Sequence, residues 1–337
     1  YRHQAKKPAG GLDTGDPMKM RILSANDVRQ ALPMADAIAG MKQAFAQLST
    51  GKAVVPLRGR VDVAPQQGTT LVMPAYLSQS SDLAVKVVSV FPQNSRRNEP
   101  TIYAAVLVLD AETGRPLALM EGGTLTAIRT GAGAGAATDL LARQEAGVVA
   151  ILGSGVQART QLEAVCTVRQ IREVRVYSPT HEHAVDFARE MRGHGPIPQL
   201  IRIMSNPETA VRGADIICAA TTSSKPVFHS KDLSPGAHIN GVGSYTPTMQ
   251  EVDAATVKRA LVVVDSREAA WEEAGDLIVP LQDGLITQAH IHAELGEIAA
   301  GLKPGRTSSE QITFFKSVGV AVQDAISGRI ALENAIE

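Results

Sequence analysis

An α/β fold is predicted, a doubly wound parallel domain joined to a smaller α+β part, and three observations carry that prediction. From residue 148 onward, short apolar runs alternate with helical stretches, the pattern of parallel strands linked by crossover helices. Before it, four β-like runs follow one another with no long helix between them, which implies an antiparallel sheet. A closing stretch, "ITFFKSVGVAVQDAISGRIALENA", reads as helical and is expected to return and pack on the N-terminal part.

In order along the chain, residues 1–17 are polar, Gly/Pro-rich and without periodicity, so they are expected to be a tag or disordered leader, with Met18 or Met20 a natural start. "PMADAIAGMKQAFAQLSTG" sets Met34, Ile38, Met41, Phe45 and Leu48 at helical spacing between Pro33 and Gly51, an amphipathic helix. "TTLVM", "LAVKVVSV", "IYAAVLVL" and "LALM" supply the strands, the last two joined by the turn residues of "DAETGRP". Residues 124–142 form a helix with small residues on one face, suited to close packing and to connecting the two halves. Then come strand "VVAIL", a helix, "VRVY", a helix, "LIRIM", a helix, "DIICAAT", "AHINGV", a helix and "LVVVD". The division expected is 18–133 plus 312–337 for the substrate-binding part and 134–311 for the doubly wound part.

Composition narrows the partners. At 337 residues and 44% hydrophobic the chain can bury a large core. Lys plus Arg is 33 against 34 acids, which gives no basic footprint for nucleic acid or an anionic membrane. No run approaches the roughly 18 apolar residues of a membrane span, so a cytoplasmic protein with a small-molecule partner is expected. Two cysteines, Cys166 and Cys218, lie in apolar surroundings and are read as buried structural thiols. In "HIHAE", His290, His292 and Glu294 stand two apart, which diverges on a helix; no metal site is expected.

The chemistry begins at "VVAILGSGVQART". Strand, glycine turn and helix follow in the order a dinucleotide site requires: Gly153 makes the tight turn, Gly155 lets the backbone approach a pyrophosphate, and Ala158 lets the helix sit on the strand. Ser154, Val156 and Gln157 complete the turn, whose helix N-terminus offers amide donors to phosphate. An acid at the end of the next strand would hold the ribose 2′-hydroxyl of NAD; "VYSPTHEH" has Ser178 there, followed by Thr180, which favours NADP(H) with NAD(H) possible. No arginine stands in that turn. A small acidic substrate needs cations. Lys86 in "LAVKVVSV" is such a cation or a solvated strand lysine; Arg129 in "AIRTGAGAG" has room around it for a carboxylate or serves an inter-domain ion pair; Arg58 has Arg60 beside it.

Together these motifs resemble the ornithine cyclodeaminase and mu-crystallin family. The resemblance runs from about Met20 to the last helix, through "VMPAY", "VKVVSVFPQN", "AIRTGA", "GSG", "ATTS", "GVGSYTPTMQEVD", "EAGDL" and "FFKSVG". It implies that Arg58, Lys86 and Arg129 hold a substrate α-carboxylate, that Met73 of "VMP" lines the pocket, and that Thr221, Thr222, Ser317, Val318 and Gly319 approach the nicotinamide. It also implies a homodimer formed through the N-terminal sheet. Cyclodeaminases acting on ornithine carry an Asp after "GVGS" and an acid just before "MP"; here Tyr245 and, near Met73, Leu71 and Val72 occupy those places. Tyr245 is therefore counted with Met73 in the pocket. The expected activity is NAD(P)H-dependent reduction of a cyclic ketimine carboxylate, such as pyrroline-2-carboxylate, to an L-amino acid. Alternatives are an alanine dehydrogenase, an ornithine cyclodeaminase, and a non-catalytic NADP-dependent binding protein.

Overall fold

The computed structural model of the chain describes residues 19–97 and 99–336; the leader expected at 1–17 lies outside them. The N-terminal part begins with β1 (Arg21–Leu23), α1 (Ala25–Ala31), α2 (Met34–Ser49), β2 (Ala53–Val54) and β3 (Gly59–Val63). It continues through β4 (Gly68–Leu77), β5 (Asp82–Val90), β6 (Ile102–Leu109), β7 (Pro116–Glu121) and the long α3 (Gly122–Leu141). The doubly wound part follows with β8 (Val148–Leu152), α4 (Val156–Val168), β9 (Glu173–Tyr177), α5 (His181–Met191), β10 (Ile201–Ile203), α6 (Pro207–Val211) and β11 (Ile216–Ala219). Next are β12 (His238–Gly241), α7 (Ala254–Arg259), β13 (Leu261–Val264), α8 (Arg267–Glu273), α9 (Gly275–Gln282) and β14 (Ile291–Glu294). The chain ends with α10 (Leu295–Ala299), β15 (Thr313–Lys316) and α11 (Ala321–Asn334).

Strands β4 to β7 form the expected antiparallel meander, within a seven-stranded sheet ordered β1-β7-β6-β5-β4-β2 with β3 also on β4. The sequence reading missed β1, a three-residue edge strand that pairs parallel to β7 and is too short to show alternation. One face of this sheet is covered by α11, which contacts β4, β5 and β6. Two ion pairs fix that helix on β5: Asp82 with Arg329 at 2.7 Å and Lys86 with Asp324 at 2.7 Å. The opposite face carries Val61, Val72, Val87 and Tyr103, all exposed. Cross-strand register places Val72 beside Val87, and Tyr103 on the row that leads through Ser89 and Thr70 to Val61.

The second sheet is wholly parallel, eight strands ordered β10-β9-β8-β11-β12-β15-β13-β14. The chain winds outward from β8 to β10 and then returns to β11, so a topological switch point lies between the C-terminal ends of β8 and β11. One sequence expectation is corrected here. Residues 313–316, expected to be helical and to belong with the N-terminal part, are strand β15, hydrogen-bonded between β12 and β13. All four are buried, and a short apolar run buried on both sides has no period that separates strand from helix. Of "HIHAE", Ile291–Glu294 form the edge strand β14, and Glu294 accepts from the Arg267 amide and the Ser49 hydroxyl.

Cys166 and Cys218 are free and buried, and burial pushes both thiols up to about 12. No described helix is long and apolar enough to cross a membrane.

Candidate active site

Every strand of a parallel sheet ends on the same edge, so the loops after β8, β11, β12, β13 and β15 meet there. Gly153 follows β8 at φ +104°, and a Cβ on it would sit 2.4 Å from the Ala220 carbonyl oxygen after β11. Only glycine closes that turn. A Cβ on Gly155 would meet nothing within 4 Å, so the space over the turn is open. Helix α4 starts there with no side-chain cap, leaving its first amides for a ligand. Val156 is exposed and Gln157 half-buried beside it. A dinucleotide pyrophosphate fits this cradle by shape and charge.

At the end of β9, Ser178 is buried and accepts a hydrogen bond from the Ser154 hydroxyl at 3.1 Å. Thr180 is exposed at the start of α5 and spends its hydroxyl on no helix cap. The sequence offered no arginine in this turn; the nearby Arg159 of α4 binds the glycine turn after β8 instead. Its guanidinium donates to the Ser154 and Gly155 carbonyl oxygens, pairs with Glu190 at 2.6 Å and lies over the Phe187 ring. A residue one helical turn beyond the glycines folds back onto them, which spacing in the motif does not advertise.

Across the edge, buried acids hold the other loops in shape. Asp265 after β13 accepts the amides of Val318 and Gly319 and the Ser317 hydroxyl, at 2.8–2.9 Å. The Val318 and Gly319 amides and the Ser317 hydroxyl are thus spent within the protein. Glu251 accepts the amides of Thr221, Gly243 and Ser244 at 2.6–3.0 Å, and burial raises its pKa. Asp276 accepts the Glu251 and Val252 amides and pairs with Lys316 at 3.1 Å; both partners are fully buried. Thr222 and Tyr245 remain exposed beside these loops.

The cations proposed from sequence divide. Lys86 is not a solvated strand lysine: its side chain is 2% exposed, on the row Met73–Lys86–Val106–Met120 of the inner sheet face. Arg129 from α3 is 7% exposed at its side chain. The two converge on one residue that sequence reading missed, Asp324 of α11, whose carboxylate lies 2.7 Å from Lys86 Nζ and 3.1 Å from Arg129 Nε. Arg129 Nη1 also donates to Gln323 Oε1 at 2.7 Å. Gly319, at φ +91°, lies against the guanidinium; a Cβ there would be 2.8 Å from Nη1. Arg58 does not touch Asp324 and pairs instead with Glu273 of α8 at 3.0 Å, half-buried. Burial pulls the Lys86 ammonium down to about 8, Arg129 pushing the same way, Asp324 opposing and Arg58 adding slightly to the fall.

Two positive charges share one carboxylate, so the pocket carries a surplus of one positive charge. Arg129 has five N–H donors, and its Nη2 makes no hydrogen bond among the described residues. Such a site wants one small anion, held by charge-assisted bonds, next to the loop after β15.

A parallel dinucleotide-binding sheet whose strand ends face a dry, anion-seeking cation pair defines the class: a nicotinamide-type oxidoreductase for a small carboxylate. The chain belongs to the ornithine cyclodeaminase/mu-crystallin family, whose model matches residues 18–337. It is 43% identical over 319 residues to a Delta(1)-pyrroline-2-carboxylate reductase of Bacillus cereus, covering 94% of this chain and 97% of that one. Among solved structures it is similar to the Thermococcus litoralis Delta(1)-pyrroline-2-carboxylate reductase in complex with NADH and L-proline, at 44% identity and a TM-score of 0.89 over 94% of this chain and 98% of that one. It is also similar to an archaeal alanine dehydrogenase dimer with bound NAD, at 34% identity and a TM-score of 0.87 over 94% and 96%.

Proposed function

We propose that the protein reduces the C=N bond of a cyclic ketimine carboxylate, with pyrroline-2-carboxylate the first candidate, to the L-amino acid. It is an NAD(P)-dependent oxidoreductase acting on C–N bonds, as its reductase relatives are. The observation that carries the substrate class is the surplus positive charge of the Lys86–Arg129–Asp324 cluster. A reduced nicotinamide, when bound, supplies hydride to the imine carbon. Arg129 binds the substrate carboxylate through its unused Nη donors and so turns C2 toward the cofactor, the positioning part of catalysis. Lys86 adds charge to the carboxylate and holds a proton within the pocket for the imine nitrogen. Met73, beside Lys86 on β4, bounds the apolar side of the ring, and Tyr245, exposed on the loop after β12, is assigned to the pocket by the family resemblance. Arg58, tied to Glu273, acts on the approaching anion at longer range.

The test is consumption of NADPH or NADH with pyrroline-2-carboxylate, piperideine-2-carboxylate, and pyruvate plus ammonia, beside an ammonia-release assay with ornithine. Net cofactor oxidation with a cyclic imine is expected. Ammonia from ornithine without net oxidation would overturn the reading in favour of cyclodeamination, for which Tyr245 stands where an acid is wanted. Silence in every assay would favour a binding protein.

NADP(H) is the preferred cofactor in this reading. Ser178 and Thr180 offer hydroxyls and no negative charge to a 2′-phosphate. Ser178→Glu is expected to raise the KM for NADPH by about tenfold or more while leaving that for NADH nearly unchanged, because a carboxylate there repels the phosphate and accepts from the 2′-hydroxyl. An unchanged NADPH to NADH ratio would refute the assignment.

The partner macromolecule is a second copy of this chain, docked on the outer sheet face that exposes Val61, Val72, Val87 and Tyr103. Val87→Glu would bury an uncompensated charge, a cost of about 3–5 kcal/mol. A dimer that dissociates to monomers in gel filtration with light scattering is expected; an unaltered dimer would place the interface elsewhere.

A further inference from the structure

Asp324 touches both cations of the proposed site, yet nothing in the reaction itself calls for a second carboxylate beside the one on the substrate. Its side chain is 2% exposed, and the costs of burying three charges are met by their mutual contacts and the Gln323 hydrogen bond to Arg129. We propose that Asp324 is a positioning residue: it holds the Lys86 ammonium and the Arg129 guanidinium side by side, and keeps Lys86 charged while substrate is bound.

Placement supports this role. Asp324 sits near the start of α11, just after the loop of Ser317–Gly319, so one short segment carries both the backbone facing the cofactor side and the counter-ion of the substrate cations. The helix cannot slide along β5, since the Asp82–Arg329 pair pins it at a second point with the charges reversed. Each Asp324 oxygen serves one cation, Oδ2 to Lys86 and Oδ1 to Arg129. Gln323 occupies Arg129 Nη1 from the other side and itself accepts the Val320 amide, so the guanidinium plane is held from two residues of the same helix turn.

The charged groups facing Lys86 are Asp324 from α11, Arg129 from α3 and Arg58 from the segment before β3. Of these only Asp324 favours the ammonium, while burial and both arginines oppose it. Removing its charge therefore lowers the pH at which Lys86 loses its proton. When substrate binds, its carboxylate adds a second negative charge, and the pocket reaches neutrality with Asp324 still in place.

The inference rests on the ketimine-reductase reading, so the experiment separates the two. Wild type, Asp324→Asn, Asp324→Glu and Arg129→Ala are compared for kcat/KM against pH with pyrroline-2-carboxylate and for NADPH binding by fluorescence. Lys86 is also titrated directly by NMR of lysine labelled at Cε, its signal assigned by its loss in Lys86→Met. For Asp324→Asn, kcat/KM is expected to fall by about 10²-fold. The alkaline limb of its profile and the Lys86 midpoint should both move down by about one pH unit or more, with NADPH binding kept. Asp324→Glu keeps the charge but displaces it, so it should lose activity while its alkaline limb stays near that of wild type. An unmoved Lys86 midpoint in Asp324→Asn overturns the proposal, as does an Asp324→Glu variant with full activity; the latter decides if Asp324→Asn does not fold. A wild type inactive on every imine sinks the functional reading alone, since the Lys86 midpoint still reports on Asp324.

Discussion

Arg129→Ala is expected to lower kcat/KM for pyrroline-2-carboxylate by about 10²–10⁴-fold while NADPH binding is unchanged. Arg129 is the one group in the pocket with a planar fork of donors not already spent, its Nε and one Nη1 hydrogen being held by Asp324 and Gln323. Two charge-assisted hydrogen bonds to a carboxylate, at about 1.5–3 kcal/mol each, correspond to that range of rate. Alanine also leaves Asp324 with Lys86 alone, so the pocket becomes neutral and no longer attracts an anion. Both effects act in the same direction, and neither reaches the glycine turn after β8. Arg129→Lys restores the charge without the fork and is expected to recover only a small part of the loss. If Arg129→Ala retains its activity, the carboxylate is bound elsewhere and the proposed orientation of C2 falls with it.

Lys86 gives the second large effect, visible in two ways. Its ammonium is pulled down to about 8, mainly by burial, so the charged form predominates below that pH and is lost above it. If the ammonium is what the reaction uses, kcat/KM is fully present below about pH 8 and falls as pH rises through it. Lys86→Met conserves most of the volume and removes the charge. It is expected to cost about 10²–10⁴-fold in kcat/KM and to abolish the alkaline fall that Lys86 causes. Its stability should suffer less than the about 3–5 kcal/mol of a fully broken buried pair, because Arg129 still neutralises Asp324. A wild-type profile flat across pH 8, with an active Lys86→Met, would show that Lys86 is a structural partner of Asp324 and nothing more.

Several features follow from local physics and were readable in the sequence. Alternating short apolar runs and helical stretches specified the doubly wound sheet, because repeated strand-length runs separated by connections long enough for a crossover fit parallel strands. The "GSG" turn located the dinucleotide cradle because glycine is required by backbone geometry within a few residues. Lys86 and Arg129 were found as uncommon charges amid small and apolar neighbours. Other features belong to the tertiary structure alone. Asp324 lies 195 residues from Arg129, in a helix whose local pattern makes an acid look ordinary. Only the packing of α11 against β5 and α3 turns it into the common counter-ion. Arg58, the weakest of the three cations on local pattern and grouped with Lys86 and Arg129 by resemblance, is paired with Glu273 by the fold. Strand β15 could not be told from the helix that follows, since burial on both faces erases the periodicity from which either is recognised. Sequence thus determined which elements form and which residues are chemically unusual. Which charges meet, and so how much free positive charge the pocket keeps, was decided by contacts between elements that no local pattern encodes.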